Sequence, residues 1–286
     1  HEIVFNSRKI IIINIPQGVN PFYEEVVRGA ITSANAHGYS ILLNYDFLDA
    51  GTIYNFCHLL KKIHASGVIL LNQLKEDILQ QINAVAPVVQ CCEYNKNSNL
   101  PFVSIDDFTA ARNATEYLIS TGRNKVAFVN GPLQYKYARE RKEGFLKAMS
   151  DADLFIPQNW ILQIPQVNYN MAYSAVCQLL SSDQRPNAFF AVSDIFAAAI
   201  IRAAKRYSLH VPRDIMVVGF DNVDISIMMA PSITTVSQPK FQLGYTACEL
   251  LLESITDPHT PPKSLLLATE LIIRESTRTA TGNYNK

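Results

Sequence analysis

The chain reads as an α/β protein built in two similar halves, each a parallel sheet covered by helices. Three observations lead there. Short apolar runs alternate with helical patterns from end to end, and repeated strand–helix–strand units are the mark of α/β architecture. The strand-like runs are almost continuously apolar, as in the four isoleucines at 10–13, and a strand buried on both faces carries such a run. The series also restarts after Asp106-Asp107 in a chain of 286 residues, more length than one average domain needs.

Residues 10–15 form the first buried strand. Asn20 caps the helix that follows, with Pro21 in its first position, Glu24 and Glu25 in its first turn, and Gly38 as its stop. Strand 40–44, helix 52–64, strand 67–71, helix 76–83 and strands 87–92 and 102–105 complete the first series. In the second, helix 109–120 ends at Gly122 and leads to strand 125–130, helix 139–151, strand 160–164, helix 169–180 and strand 188–192. Asp194 then caps a helix running to about Tyr207, before strand 215–220. Cys91 and Cys92 are adjacent on strand 87–92, so the pleat sends their side chains to opposite faces.

Composition excludes several classes. Lys plus Arg and Asp plus Glu are both 25, so this segment carries no basic footprint and by itself should not grip nucleic acid strongly. No apolar run approaches the ~20 residues of a membrane helix, and no signal peptide is visible. The five cysteines are odd in number and widely spaced, with no C-x-x-C. They read as reduced thiols of a cytoplasmic protein rather than as disulfides or a zinc site. No phosphate loop, nucleophile elbow, H-E-x-x-H or G-x-G-x-x-G is present, and the six histidines are scattered. A binding module is expected rather than an enzyme, with no metal and no cofactor.

Ligands of open α/β sheets bind outside the carboxyl ends of the strands. Those ends carry residues 17–23, Asn72-Gln73, Glu93-Tyr94, Asp106-Asp107, 131–141, Ser193-Asp194 and Asp221-Asn222. The set is polar and aromatic, which suits sugars and nucleosides: hydroxyls need charged acceptors and fork donors, and ring faces need stacking.

The end of the chain carries Thr234-Thr235-Val236-Ser237-Gln238-Pro239-Lys240, then Leu243-Gly244, then Leu271-Ile272-Ile273-Arg274-Glu275-Ser276-Thr277. This resembles the closing signature of the lactose-repressor/galactose-repressor (LacI/GalR) transcription regulators, and the resemblance extends over essentially the whole chain. It implies the two-lobed periplasmic-binding-protein-like fold, with three crossings near 106–108, 238–240 and 267–269. The lobes would be 8–107 plus 239–267, and 108–238 plus 268–280, with tails at 1–7 and 281–286. Residues 234–240 would then include a crossing, and 270–277 would be the strand completing the second lobe. The family's operator-binding helix-turn-helix would precede this segment, residues 1–9 being the connection.

The resemblance also sharpens the candidates. Phe22 and Tyr23 match the aromatic pair lining the effector cleft, although Phe22 serves equally as helix core. Gly131-Pro132, Tyr135, Tyr137, Arg141 and Gly144-Phe145 match a G-P…R…G-F segment whose arginine reaches the effector; a helix-surface ion pair is the alternative. Tyr135 departs from the arginine of purine-sensing relatives, which argues against a bare purine, and Val167 stands where some relatives carry an aromatic stacker. Asp221, in Val218-Gly219-Phe220-Asp221-Asn222, is positioned to accept two hydroxyls of a sugar or ribose ring, or else to cap the next turn. Ser193 is a candidate for the cleft wall and Asp194 for the helix cap. Asn72 and Gln73 divide evenly between cleft lining and loop solvation, and Asp106 is structural. Implied partners are a pentose-containing effector, either sugar or nucleoside, a homodimer mate meeting helices 52–64 and 76–83, and operator DNA through the preceding domain. The rivals are a periplasmic solute-binding protein serving a sugar transporter and, further off, a sugar-processing enzyme.

Overall fold

The computed structural model describes residues 9–17, 20–259 and 261–278. In chain order its elements are β1 (Lys9–Asn14), α1 (Phe22–Ala36), β2 (Tyr39–Asn44), α2 (Ile53–Lys62), β3 (Gly67–Leu70), α3 (Glu76–Asn83), β4 (Val88–Cys91) and β5 (Phe102–Ile105). There follow α4 (Asp107–Ser120), β6 (Val126–Asn130), α5 (Lys136–Asp151), a 3-10 turn (Gln158–Trp160), β7 (Ile161–Gln163), α6 (Tyr169–Leu180), β8 (Ala188–Ala191) and α7 (Asp194–Arg206). The last are β9 (Met216–Asp221), α8 (Ile225–Met228), β10 (Thr234–Ser237), α9 (Lys240–Thr256), β11 (Ser264–Leu267) and β12 (Glu270–Ile272).

The chain divides into two compact units. The first takes the described residues up to Ile105 and then Pro239–Leu267; the second takes Asp106–Gln238 and the described residues from Ala268 onward. The chain therefore passes between units three times. The first passage falls between Ile105 and Asp106, not after residue 107, because Asp106 and Asp107 are committed to the second unit. Asp106 caps α4 by accepting from the backbone N–H of Thr109 at 2.9 Å, and Asp107 is ion-paired to α5. The expected tails 1–7 and 281–286, position 8 and residues 18–19 lie outside the described residues.

The first unit is a six-stranded sheet of order β11-β5-β4-β3-β1-β2, parallel throughout. One face packs Ile12, Val68, Leu70 and Val88 against Phe56 and Leu60 of α2 and Ile78 and Ile82 of α3. The other face meets α9, which also lies along α1. That helix pair approaches very closely: a Cβ on Gly244 would collide with the backbone carbonyl of Val26, and one on Gly29 with that of Phe241. The Leu243-Gly244 step of the closing signature is thus a packing requirement.

The second unit has the order β12-β10-β9-β8-β6-β7, with α4 and α5 packed together and α6 packed on α7. Its strands are parallel except β12, which pairs antiparallel with β10. The strand expected over 270–277 ends at Ile272. Beyond it the chain turns inward: Ser276 Oγ donates to the carbonyl of Val217 at 2.6 Å, and the backbone N–H of Thr234 donates to Ser276 Oγ at 2.8 Å. Buried backbone groups need partners, and the Ser276 hydroxyl supplies both, while Thr277 Oγ1 pairs with the hydroxyls of Thr234 and Tyr117. Trp160 belongs to the 3-10 turn, so the strand expected from 160 starts at Ile161.

Several helix starts also differ. α1 begins at Phe22, whose N–H donates to Asn20 Oδ1 at 3.0 Å; Pro21 therefore precedes the first helical residue. α5 begins at Lys136, a turn earlier than the pattern suggested, because Lys136 is drawn into a buried ion pair.

Candidate functional site

The second unit gathers its buried polar groups at the carboxyl ends of β6, β8 and β9. Arg141, on α5, is buried. Its Nε donates to Asp107 Oδ1 at 2.8 Å, and its Nη1 donates to the carbonyl of Val192, just past β8, at 2.7 Å. Nη1 also lies 3.6 Å from Asp221 Oδ1. The guanidinium carbon sits 3.4 Å from the centroid of the Phe220 ring and 4.9 Å from that of Tyr137, a stacked arrangement that suits its planar, weakly hydrated cation. Among the described residues Nη2 has no hydrogen-bond partner. The surface ion pair offered as the alternative role for Arg141 is excluded by its burial.

Asp107 is the anchor of this cluster. Its second oxygen accepts from Lys136 Nζ at 2.6 Å, and both side chains are buried. Burial by itself would raise the Asp107 carboxyl, but the charges of Arg141 and Lys136 outweigh it and hold the group below the usual carboxylate range. Burial likewise opposes the Arg141 charge, and Asp107 and Asp221 override it, so Arg141 is held more firmly protonated than usual.

Asp221 closes β9 with φ at +100°, a value that L residues rarely adopt and that bulky side chains avoid. Asn222 follows at φ +49°. Such strain persists where surrounding contacts over-determine it, and here they do. Gln238 Nε2 donates to Asp221 Oδ1 at 2.7 Å, Asn222 Nδ2 donates to Ser237 Oγ at 3.1 Å, and Arg274 Nη2 donates to Asn222 Oδ1 at 2.7 Å. Three residues of the closing signature thus brace the strand end that presents Asp221.

The cap of α7 is Ser193, not Asp194. Ser193 is extended and its Oγ accepts from the N–H of Phe196 at 3.3 Å. Asp194 is fully buried and accepts from Thr235 Oγ1 at 2.6 Å and from the N–H of Val223 at 2.9 Å. A carboxylate with these buried donors is better satisfied than one at the helix end, which leaves the cap to the hydroxyl. Tyr135 and Tyr137 are half-buried with their rings stacked, centroids 5.6 Å apart, at the entrance to α5. Val167 is half-buried as well.

In the first unit Phe22 is buried and meets Tyr23 edge to face at 5.3 Å, while Tyr23 is half-buried at the start of α1. Asn72, past β3, donates to Asn14 Oδ1 at 2.5 Å, and Asn14 Nδ2 donates to the carbonyl of Asp46 at 3.0 Å. Asn72 is thereby fixed beside the end of β1. Gln73 is half-buried next to it. The structure thus collects Arg141, Asp221, Ser193 and the two tyrosines in one unit, and Phe22, Tyr23, Asn72 and Gln73 in the other.

Sequence reasoning missed three residues. Lys136 carried no motif. Gln238 was read only as part of a crossing, and Asp107 was named at a strand end without its role as the anchor of Arg141; each sits at a passage between units and holds a candidate ligand residue. Among the described residues no cluster of three or more His, Cys, Asp or Glu could hold a metal ion, and no helix is long and apolar enough to cross a membrane.

Two parallel-sheet units joined by three chain passages, with buried polar groups at the strand ends, define a periplasmic-binding-protein-like binding domain. The model for the family described as "Periplasmic binding protein-like domain" matches residues 115–277. The chain is 31% identical over 275 residues to the HTH-type transcriptional repressor CytR of Escherichia coli (strain K12), covering 96% of this chain and 80% of that protein. It is 32% identical over 276 residues to the ribose operon repressor of the same organism, covering 95% and 83%. A crystal structure of an uncharacterized protein from Actinobacillus succinogenes superposes with a TM-score of 0.88 at 35% identity, covering 95% of this chain and all of that one. The chain belongs to the LacI/GalR family of transcriptional regulators, and these residues form its effector-binding domain. The relatives are repressors rather than enzymes, and they favour the regulator over a solute-binding protein serving a transporter.

Proposed function

We propose that this domain senses a pentose-containing effector, a simple sugar or a nucleoside, through Arg141 and Asp221. The observation that carries the reading is their pairing: a buried guanidinium and a buried carboxylate lie side by side at strand ends, the first pre-oriented by Asp107. A carboxylate can accept from two vicinal hydroxyls, and the Arg141 Nη2 donor can meet a ring or hydroxyl oxygen. Charge-assisted bonds in a dry site discriminate strongly against analogues that lack the hydroxyl. Tyr135 and Tyr137 supply aromatic surface, Ser193 is a further lining residue, and Phe22, Tyr23, Asn72 and Gln73 are the contacts proposed from the first unit. No turnover is expected, since no nucleophile and base are grouped with the pair.

Effector binding shifts a regulator's conformational populations only by its differential affinity for the two states. In the intact regulator those states would control operator binding through a helix-turn-helix, the DNA-reading type that CytR's name states for that protein. A homodimer is the proposed assembly, with α2 and α3 as contact helices; Tyr54 on α2 is 77% exposed, and Tyr45 and Phe47 just before it are also exposed. A cytoplasmic location accords with five cysteines of which none is disulfide-bonded.

A thermal-shift and calorimetric screen of D-ribose, ribonucleosides, hexoses and free purines tests the reading. Stabilisation by ribose or a ribonucleoside is expected. Stabilisation by a hexose or free purine alone would replace the pentose assignment, and silence across the panel would remove it.

A further inference from the structure

Strand pleating should send Cys91 and Cys92 to opposite faces of the first sheet. The structure places them together. β4 ends at Cys91, and Cys92 leaves the strand with φ at +68°. This left-handed turn, costly by ~1–2 kcal/mol for an L residue, swings the second side chain back toward the first. The two Sγ atoms lie 3.6 Å apart. The turn is clamped from β5 on both sides of Cys92: its N–H donates to the carbonyl of Val103 at 2.9 Å, and its carbonyl accepts from Ser104 Oγ at 2.6 Å. The two sulfurs differ in access. Cys91 is fully buried and its thiol donates to the carbonyl of Leu243 at 3.7 Å, whereas Cys92 is only half-buried.

We propose that Cys91-Cys92 is a redox modification site, a vicinal dithiol that hydroperoxides close to a disulfide and cellular thiols reopen. Neither sulfur belongs to the effector contacts assigned above. Solvent access makes Cys92 the sulfur that reacts first. Its thiolate attacks one oxygen of hydrogen peroxide, the O–O bond breaks, and hydroxide leaves and takes up a proton. The Cys91 sulfur then attacks the Cys92 sulfenic acid. The S–S bond forms, the S–O bond breaks, and water departs carrying the Cys91 proton. Overall two thiols and one peroxide give one disulfide and two waters.

Closure needs the sulfurs to approach from 3.6 Å to about 2.05 Å, a movement within reach of two side-chain torsions and a small backbone shift. The Cα atoms of adjacent residues are ~3.8 Å apart, shorter than the usual disulfide span of about 4.4–6.8 Å. The bridge is therefore strained, and strained disulfides are the readily reduced, regulatory kind rather than structural braces. Its closure would alter the turn that leads into buried Glu93 and Tyr94, the latter stacked on Phe102 at 3.8 Å.

The test treats the reduced full chain with hydrogen peroxide and reads it by intact mass and non-reducing peptide mapping. The expected result is loss of two hydrogen masses in the peptide holding Cys91 and Cys92, reversed by dithiothreitol. Closure should be several-fold slower in chain unfolded by urea, where the clamped turn is lost. Cys92→Ser should abolish the mass loss in that peptide, and Cys91→Ser should leave a sulfenic acid at Cys92 that dimedone traps. The wild-type map stands even if a variant fails to fold. Bridges from either residue to Cys57, Cys177 or Cys248 would overturn the proposal. So would over-oxidation of Cys92 with Cys91 left as a thiol, or equal closure rates in native and unfolded chain.

Discussion

Asp107 grips Arg141 through a 2.8 Å bond from Nε to Oδ1 across 34 residues of sequence, with both side chains buried. The same carboxylate holds Lys136, so it is the anion shared by both buried cations, with Glu140 3.1 Å from Lys136 and Asp221 3.6 Å from Arg141 as their second partners. Breaking a buried ion pair costs roughly 3–5 kcal/mol when the partner is left uncompensated, and less here because Glu140 and Asp221 remain beside the two cations. Asp107→Asn is therefore expected to lower unfolding stability by up to about 3 kcal/mol, with an unchanged urea m-value, and to weaken effector binding because Arg141 loses its orientation.

The same group fixes a pH dependence. The folded Asp107 carboxyl lies below its unfolded value of about 3.9. Its stabilising contribution is thus fully present above about pH 4 and is lost as pH falls through the lowered folded value. Urea titrations at successive pH values below neutrality should show stability falling in that acid range, and Asp107→Asn should flatten the fall. An equally steep acid loss in the variant would assign the dependence to other carboxylates.

Asp221→Asn separates charge from backbone. Asparagine tolerates positive φ better than most residues, so the turn at φ +100° survives and only the anionic acceptor is lost. Hydrogen bonds to charged groups contribute about 1.5–3 kcal/mol, so the affinity of whichever pentose compound binds should drop at least about tenfold by calorimetry. The melting temperature without ligand should fall less than in Asp107→Asn, since Arg141 keeps its 2.8 Å bond to Asp107. Retained affinity would take Asp221 out of the site.

Gly244→Ala tests the helix pair. The added methyl would meet the Val26 carbonyl on α1, and backbone cannot yield as a flexible side chain does. Overpacking of this kind costs typically about 1–3 kcal/mol. A chemical denaturation curve should show that loss, while a valine or alanine at exposed positions of α9 should not.

Ser193→Ala removes the cap of α7. A lost hydroxyl cap costs typically about 1 kcal/mol, and the N–H of Phe196 would be left without its acceptor. Asp194→Ala should cost more, since Thr235 Oγ1 and the Val223 N–H would both lose a buried partner. The opposite ranking would restore Asp194 as the cap.

Much of the fold could be read along the chain. α3, β5 and α6 occupy the spans that periodicity assigned them, because their apolar spacing and flanking breakers are local signals. Asp221 stood out for a related reason, since it closes a buried strand where α/β sheets present polar groups, while Arg141, on α5, stood out through its resemblance to the family's G-P…R…G-F segment. The misses have a common cause. Periodicity started α5 at 139, but a buried partner on α4 pulls the helix back to Lys136. Residues 273–277 looked like strand, yet the Ser276 hydroxyl is used to satisfy the backbone of β9 and β10. Asp194 looked like a cap until Thr235 claimed its carboxylate.

The sequence by itself determined the alternation of buried strands and covering helices, the family to which those elements belong, and the residue types available at the strand ends. These depend on hydrophobic spacing and on short motifs, which are properties of neighbouring residues. Tertiary structure alone decided which of those side chains are paired. Asp107 with Arg141, Gln238 with Asp221 and Thr235 with Asp194 are joined across 34, 17 and 41 residues. Strand order, not sequence distance, sets those meetings. The Cys91–Cys92 contact makes the same point at the shortest range: adjacency suggested opposite faces, and a turn clamped by β5 put the two sulfurs on one side.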